Sequence, residues 1–545
     1  MKNLGLILII VFTVTSAAFA QKANVNAPQG GSFIYNMGAE PESLHPIMAG
    51  DLYETWVARY TQDYLCATDY STWEMVPRLA EKWEISKDGL SFTFFLRKDA
   101  FFHNGDPVTA EDVKFSLEAI RNPKHQALNL VPYFEDFTNV EIIDTHTIKF
   151  VSKTKYFQSL NTLCTNLVIL SKTAYGDIAK SVKMLKDVVG AGPYKLEKYD
   201  KGQSITLKKM DNWYGKNVPA LKGYYNFEKI IFKFTKDDNI LVEKLKKGDL
   251  DYAEFNSTDG FLKASGKPFK PKTELAKSTI LAVKNDMPKS YGYIGFNFKD
   301  PILADHSVRL AFAHLVNRAE MNKKFSENLN DLANGPVPVN SKQAADMKPI
   351  EFSPKKAKDL LTKAGWSDSD KNGILDKVIN GQKTDLRLSM IYANKDSEKQ
   401  WTIVKEDCKK AGLELELKLL EWNTFVKTID ERKMQLWAMG WGGGDVEMDP
   451  KQIWHSSSAS KGGSNYGSYA NAEVDKLIDE GRQELDLAKR TVIFKKAYTL
   501  IAEDVPYVFL FNRKYEYYAI SKKVKSPADT FKYDFGYRTW WSAQK

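Results

Sequence analysis

LRLSMIYANKDSEKQWTIVKEDCKKAGLELELKLLEW, residues 386–422, changes periodicity twice within a short span. LRLSMIY (386–392) reads as a strand, and residues 397–411 read as a helix. LELELKLLE (413–421) then alternates apolar with charged residues at a period of two. Strand, helix and strand at this spacing make a βαβ unit with parallel strands. Residues 436–440 supply a further strand nearby. Its carboxyl end would deliver the next residues to the rim of the sheet, where open α/β sheets bind ligands.

Those next residues are unusual. MQLWAMGWGGGDVEMDP (434–450) runs from an apolar strand into Gly440-Trp441, three consecutive glycines, a lone Asp445 and then Asp449-Pro450. Bare backbone lets another chain approach closely. A carboxylate beside it can pair with a cation such as a peptide's amino terminus. The bland alternative is that Asp445 only caps a turn. Asp449 is a rival, although its proline neighbour reads as a turn.

Outward from this segment, strand and helix signals alternate without an internal repeat, which gives an α/β fold class. SFTFFLR (91–97) is strand-like. Thr109 and Asp112 have capping-box spacing, followed by Val113, Leu117 and Ile120 on one helical face. Ser353-Pro354 opens another helix, and Gly365 stops it.

The amino terminus reads as a secretory signal over residues 1–20. Lys2 starts it, residues 4–14 are apolar, and Ala18-Phe19-Ala20 is a cleavage site that leaves Gln21 first. The apolar run is too short for a comfortable membrane span. No cysteine follows the cleavage site to carry a lipid. The expected product is exported, soluble and periplasmic.

The formal charge of +9 comes from lysines spread along the whole chain, so no nucleic-acid partner is expected. Only three cysteines occur, Cys66, Cys164 and Cys408. Buried free thiols are the first reading, with a Cys66–Cys164 bridge as the alternative. The seven histidines have no ligand spacing, and His455 reads as a packing residue. DSDKNG (368–373) opens like a calcium loop, and Asp376 could serve its ninth position. Its twelfth is Ile379, where a glutamate is needed. An Asn372-Gly373 hairpin turn is the alternative. No serine-hydrolase, zinc-protease or phosphate-loop motif is present. No catalytic residue, metal or cofactor is expected.

Longer motifs carry a resemblance. They are GGSFIYNMGAEPESLHP (30–46), LAEKWEISKDGLSFTFFLRKDAFFHNGDPVTAEDVKFSLEAI (79–120), VVGAGPYKLEKYDKGQSITLKK (188–209), YIGFNFKDPILADHSVRLAFAHLVNR (293–318), ANGPVP (333–338), DPKQIWHSSS (449–458) and NYGSYANAEVDKLI (465–478). In this order they resemble the family 5 extracellular solute-binding proteins, the peptide-binding subunits of bacterial uptake transporters.

The resemblance implies a two-lobed periplasmic-binding-protein fold of type II, with an extra subdomain and a ligand cleft between lobes. Lobe I would hold 21–67, 188–284 and 512–545, with 68–187 as the subdomain, and lobe II would hold 285–511. The chain would cross near 284–291 and again near 506–512. Asp445 matches, by motif, the residue that takes the peptide's amino group, with one extra glycine before it. Trp441 and Trp422 match pocket aromatics, and Gly440 and Gly442 match backbone that pairs with extended peptide. Met439 stands where some relatives carry an arginine for the peptide carboxylate, preceded by Ala438. Glu42 and Ser43 sit where the other lobe touches ligand, or else form a turn. With no arginine in 391–400 either, the carboxylate anchor is missing or supplied from elsewhere, and Arg387 and Arg432 are candidates only by being nearby in sequence.

The implied function is peptide capture by hinge closure, by a monomer that docks on ABC transporter permease subunits at the inner membrane. An exported peptidase or glycosidase is the alternative from another class. Nickel complexes, haem and oligosaccharides are alternative solutes on the same scaffold, and presentation to a signalling receptor is a third role.

Overall fold

The computed structural model describes residues 23–543, apart from 49–51, 128–129, 256, 288, 444–445 and 461–462. The expected signal segment and Asp445 therefore lie outside the described residues. The chain divides into two compact units, Met1–Asn285 with Tyr517–Lys545, and Asp286–Glu516. In sequence the units meet at Asn285–Asp286 and at Glu516–Tyr517, and Tyr507–Arg513 is a strand of the second unit.

The second unit is built on a six-stranded sheet. Its order is Asn330–Leu332, Tyr507–Arg513, Tyr291–Phe296, Leu436–Trp441, Arg387–Tyr392, Glu414–Leu419. The βαβ unit is present. Arg387–Tyr392 and Glu414–Leu419 run parallel, in register from Arg387 opposite Glu414 to Tyr392 opposite Leu419. The helix Glu398–Lys410 joins them and buries Trp401, Val404 and Cys408 along one stripe. It packs on Leu388, Met390 and Leu415, in a core that also takes Ile294, Phe296, Leu436 and Val508. Each such side chain, fully buried, contributes about 1.5–3 kcal/mol. Gly412 ends the connection with φ +82°, in the left-handed region that glycine tolerates.

The first unit has a mixed eight-stranded sheet, in which Ser32–Met37 runs parallel to both Lys229–Phe234 and Tyr252–Glu254. A separate antiparallel sheet orders Ala80–Ile85, Ser91–Leu96, Thr147–Ser152 and Phe137–Asp144. Phe92, Phe94 and Leu96 turn inward from its second strand, as the alternation requires. The helix Ala110–Arg121 starts at the expected capping box, with Thr109 N–H donating to Asp112 at 3.0 Å.

Two readings are corrected. Cys66 and Cys164 form a disulfide, with Cα atoms 4.6 Å apart, and only Cys408 is a buried free thiol. An antiparallel bridge between Tyr64 and Val168 brings the two segments side by side, and their separation of 98 residues gave no hint of it. The two-residue Asn-Gly hairpin is at Asn380-Gly381, joining Asp376–Ile379 to Gln382–Asp385. Asn372-Gly373 lies instead in a loop closed by a bridge between Ser367 and Asp376.

Candidate functional site

The strand Leu436–Trp441 has a pairing pattern that leaves part of its backbone bare. Asn297 N–H donates to Gln435 C=O at 3.0 Å, which sets the phase of the antiparallel ladder. The pairs Gly295–Trp437, Tyr293–Met439 and Tyr291–Trp441 continue it. Hydrogen-bonding direction alternates along a strand, so Leu436, Ala438 and Gly440 direct their peptide groups to the opposite side. The neighbour there pairs only at Met390–Leu436 and Ile391–Trp437 before its strand ends at Tyr392. Gly440 N–H and C=O thus face an edge with no strand partner among the described residues. Gly440 and Gly442 are exposed, and a Cβ on Gly442 would meet nothing within 4 Å.

Trp437, Met439 and Trp441 share the strand face away from the apolar core. Trp437 is buried against Gly295, where a Cβ would lie 2.3 Å from the indole. Its Nε1 donates to Tyr293 OH at 3.3 Å. Trp441 lies nearly parallel to Tyr466 (6°, centroids 5.9 Å apart) and to Tyr293 (15°, 6.2 Å). Tyr293 stacks in turn on Tyr507 at 3.9 Å. Burial pushes the phenols of Tyr293 and Tyr507 above their usual range, so both stay neutral. The result is a rigid aromatic bank beside open backbone, a pairing that suits an extended chain with varied side chains.

The other expected residues are placed as follows. Asp445 is outside the described residues, but its flank is well defined. Glu447 Oε2 pairs with Arg490 at 2.7 Å. Asp449 accepts Lys451 N–H at 2.9 Å and pairs with Arg482 at 2.8 Å, so it serves a turn and an ion pair. Trp422 is 57% exposed at the start of the helix Trp422–Asp430, stacked on Phe425. In the first unit, Ser43 Oγ accepts His45 N–H at 2.9 Å, which is turn geometry, and Glu42 is exposed. Neither suggested carboxylate anchor is open. Arg387 is paired with Asp385 and Glu414, and Arg432 donates to Ile429, Asp430, Ser460 and Gly463 carbonyls.

Asp368, Asp370 and Asp376 gather with carboxylate oxygens within 4.8 Å. Lys383 sits on Asp370 at 2.6 Å, and Ser369 donates N–H and O–H to Asp376. Lys383 also reaches Asp376 at 3.6 Å, so one cation is shared between two of the three carboxylates. His455 packs beside Asp479 at 3.4 Å, with Ser457 on its other nitrogen. The sequence reading missed the Tyr293–Trp441–Tyr466 bank and the Glu447–Arg490 pair. The tyrosines were visible in YIGFNF and NYGSY, but their meeting depends on strand register.

Residues 74–464 match the bacterial extracellular solute-binding proteins, family 5 Middle. The chain belongs to this family. Among family 5 relatives, the oligopeptide-binding protein AppA of Bacillus subtilis (strain 168) is 28% identical over 507 residues, covering 91% of this chain and 89% of its own. The dipeptide-binding protein of Escherichia coli (strain K12) is 25% identical over 506 residues, 88% of each chain. The solved structure of Bacillus subtilis AppA in complex with a nonapeptide aligns with a TM-score of 0.76 at 25% identity, covering 95% of this chain and all of that one. The α/β, two-lobed fold of family 5 solute-binding proteins is the fold of this chain.

Proposed function

We propose that this protein is the periplasmic peptide-capturing subunit of an ABC uptake transporter, and that it binds its cargo without making or breaking a bond. The observation that carries this is the N–H and C=O of Gly440, which have no strand partner among the described residues, beside the Trp441 bank. An extended peptide adds to such an edge as a strand, by contacts every peptide can make. Relatives named as oligopeptide- and dipeptide-binding proteins align over nearly the whole chain. Asp445, five residues beyond Gly440, takes the peptide's amino group by a charge-assisted bond. Side chains lie along Trp441, Met439 and Trp422, with water filling what they leave. Ligand favours a closed arrangement of the lobes by binding it better, and the closed monomer docks on membrane permease subunits. The leader at 1–20 directs export.

Native mass spectrometry of protein purified without refolding tests this directly. A retained peptide, recovered intact by chromatography after long incubation, is the expected result. Shortened products would favour the hydrolase reading. In calorimetry, an amino-acetylated peptide and the Asp445→Ala variant should each weaken binding several-fold or more. Equal affinity for acetylated and free peptides removes Asp445 from this role.

A further inference from the structure

One end of the first unit gathers lysines from three segments that are distant in sequence. The helix Asp238–Lys247 finishes there in Lys246 and Lys247. The turn between the strands Lys272–Glu274 and Ser278–Val283 presents Lys277. The chain after the strand Glu516–Ser521 adds Lys522, Lys523 and Lys525. Short contacts hold the three segments together. Ser278 Oγ donates to Leu245 C=O at 2.8 Å, and Lys522 N–H donates to Lys277 C=O at 2.9 Å. A Cβ on Gly248 would lie 3.2 Å from that of Lys277. All six lysines are exposed.

The nearby acids do not balance them. Glu243 pairs with Lys246 at 2.8 Å, and Glu274 pairs with Lys522 at 3.2 Å. Asp251 lies near Lys523, but its carboxylate is buried and already accepts Ile34 N–H at 3.0 Å. Asp249 is exposed beside the helix end. Lys247, Lys277, Lys523 and Lys525 form no ion pair among the described residues. The helix end accounts for its own lysines, because cations stabilise the negative pole of a helix. It does not account for the four on the other two segments. None of the six is an arginine, whose fork fits a defined carboxylate. Lysines are point charges on flexible stems, and they suit a diffuse anionic surface.

Trp541 is an independent sign. It stands directly across from Lys525 in the ribbon formed by Val524–Lys525 and Trp541–Ser542. Opposed residues of an antiparallel pair share a face. Val524 takes the buried face, so half-buried Trp541 shares the outer face with Lys525. An indole settles at the headgroup level of a bilayer, beside lysines drawn to its anionic lipids.

We propose that this end of the first unit rests on the headgroups of anionic phospholipids, with Lys277, Lys522 and Lys523 as its main contacts and Trp541 at its rim. The attraction falls off within a Debye length, about 8 Å at physiological ionic strength. It concentrates the protein at the membrane where a permease stands. The choice of a membrane rests on the export reading above; the lysine cluster does not.

The test is co-sedimentation of the full chain with lipid vesicles, in the absence of peptide. The wild type should bind vesicles of equal parts phosphatidylglycerol and phosphatidylcholine about tenfold more tightly than pure phosphatidylcholine, and high salt should abolish the difference. The triple variant Lys277→Glu, Lys522→Glu, Lys523→Glu should lose the preference. A matched variant, Lys355→Glu, Lys358→Glu, Lys363→Glu, changes exposed lysines of the helix Pro354–Lys363 and should keep it. A folded first variant that binds as the wild type does overturns the proposal. So does a matched variant that loses as much, since net charge alone would then govern. If the glutamate variant fails to fold, the same three lysines changed to glutamine decide on the same criterion. A wild type that ignores both vesicles overturns the proposal, and its binding to polyglutamate would assign the patch to an acidic protein instead. Peptide affinity, measured by calorimetry, should be unchanged in the first variant, so failure here and failure of the peptide reading are separate results.

Discussion

Arg490 clasps Glu447 with two bonds, Nε to Oε1 at 3.2 Å and Nη2 to Oε2 at 2.7 Å. Arg490 is buried on the helix Leu487–Asp504, and Gln343 adds a third bond to Glu447 at 3.3 Å. The clasp fixes the chain two residues beyond Asp445. On the role proposed for Asp445, Glu447→Gln should lower peptide affinity by roughly tenfold, through a looser position for the amine acceptor. Circular dichroism should be unchanged. Wild-type affinity in this variant would show that the clasp serves stability only.

Gly440→Pro removes one N–H that has no strand partner among the described residues. Losing that donor should weaken peptide binding several-fold, at about 0.5–1.5 kcal/mol for one bond. The ring would stand near Tyr291 C=O, 3.2 Å from an ideal Cβ, so thermal stability should fall as well. Binding measured well below the melting transition separates the two effects. Full affinity there would remove Gly440 from the contact surface.

Replacing both Cys66 and Cys164 by serine should cost about 2–5 kcal/mol, since the bridge closes a long loop in the unfolded chain. Urea unfolding without reductant measures this. An unchanged midpoint would mean that the bridge does not form in the purified protein.

His45 is buried with Nε2 on Ser181 Oγ at 3.1 Å, and burial, reinforced by nearby His125, pushes it down to about 4. The unfolded chain takes up this proton near pH 6.5 and the folded chain only near 4. Stability from this group is thus complete above 6.5 and declines as pH falls towards 4. The slope is at most about 1.4 kcal/mol per pH unit. His103, held between Gly190 N–H and Gly192 C=O, shifts the same way. Urea midpoints at pH 7.5, 6 and 5 should fall less steeply in His45→Gln than in the wild type. Parallel declines would exclude His45 as a contributor.

The fold was readable wherever one segment carries its own instructions. Residues 386–422 declare strand, helix and strand by periodicity, and Thr109 with Asp112 declares a helix start. Relationships between distant segments were not readable. Gly295 is required because Trp437 lies across it, and no local pattern links them. Arg432 looked available by proximity, yet its φ of +58° turns it back onto four carbonyl groups. The glycines after Trp441 announced exposed backbone, but which peptide groups lack partners depends on where a neighbouring strand stops.

That stopping point sets what can enter. Leu436–Trp441 is an interior strand, and its vacancy begins only past Ile391, between neighbours that stay paired below. The opening is a notch rather than a free border. A free border invites another sheet to add along its whole length, whereas an interior vacancy offers only the few peptide groups past Ile391. The same backbone hunger that drives amyloid growth is thereby confined to a short stretch of one interior strand.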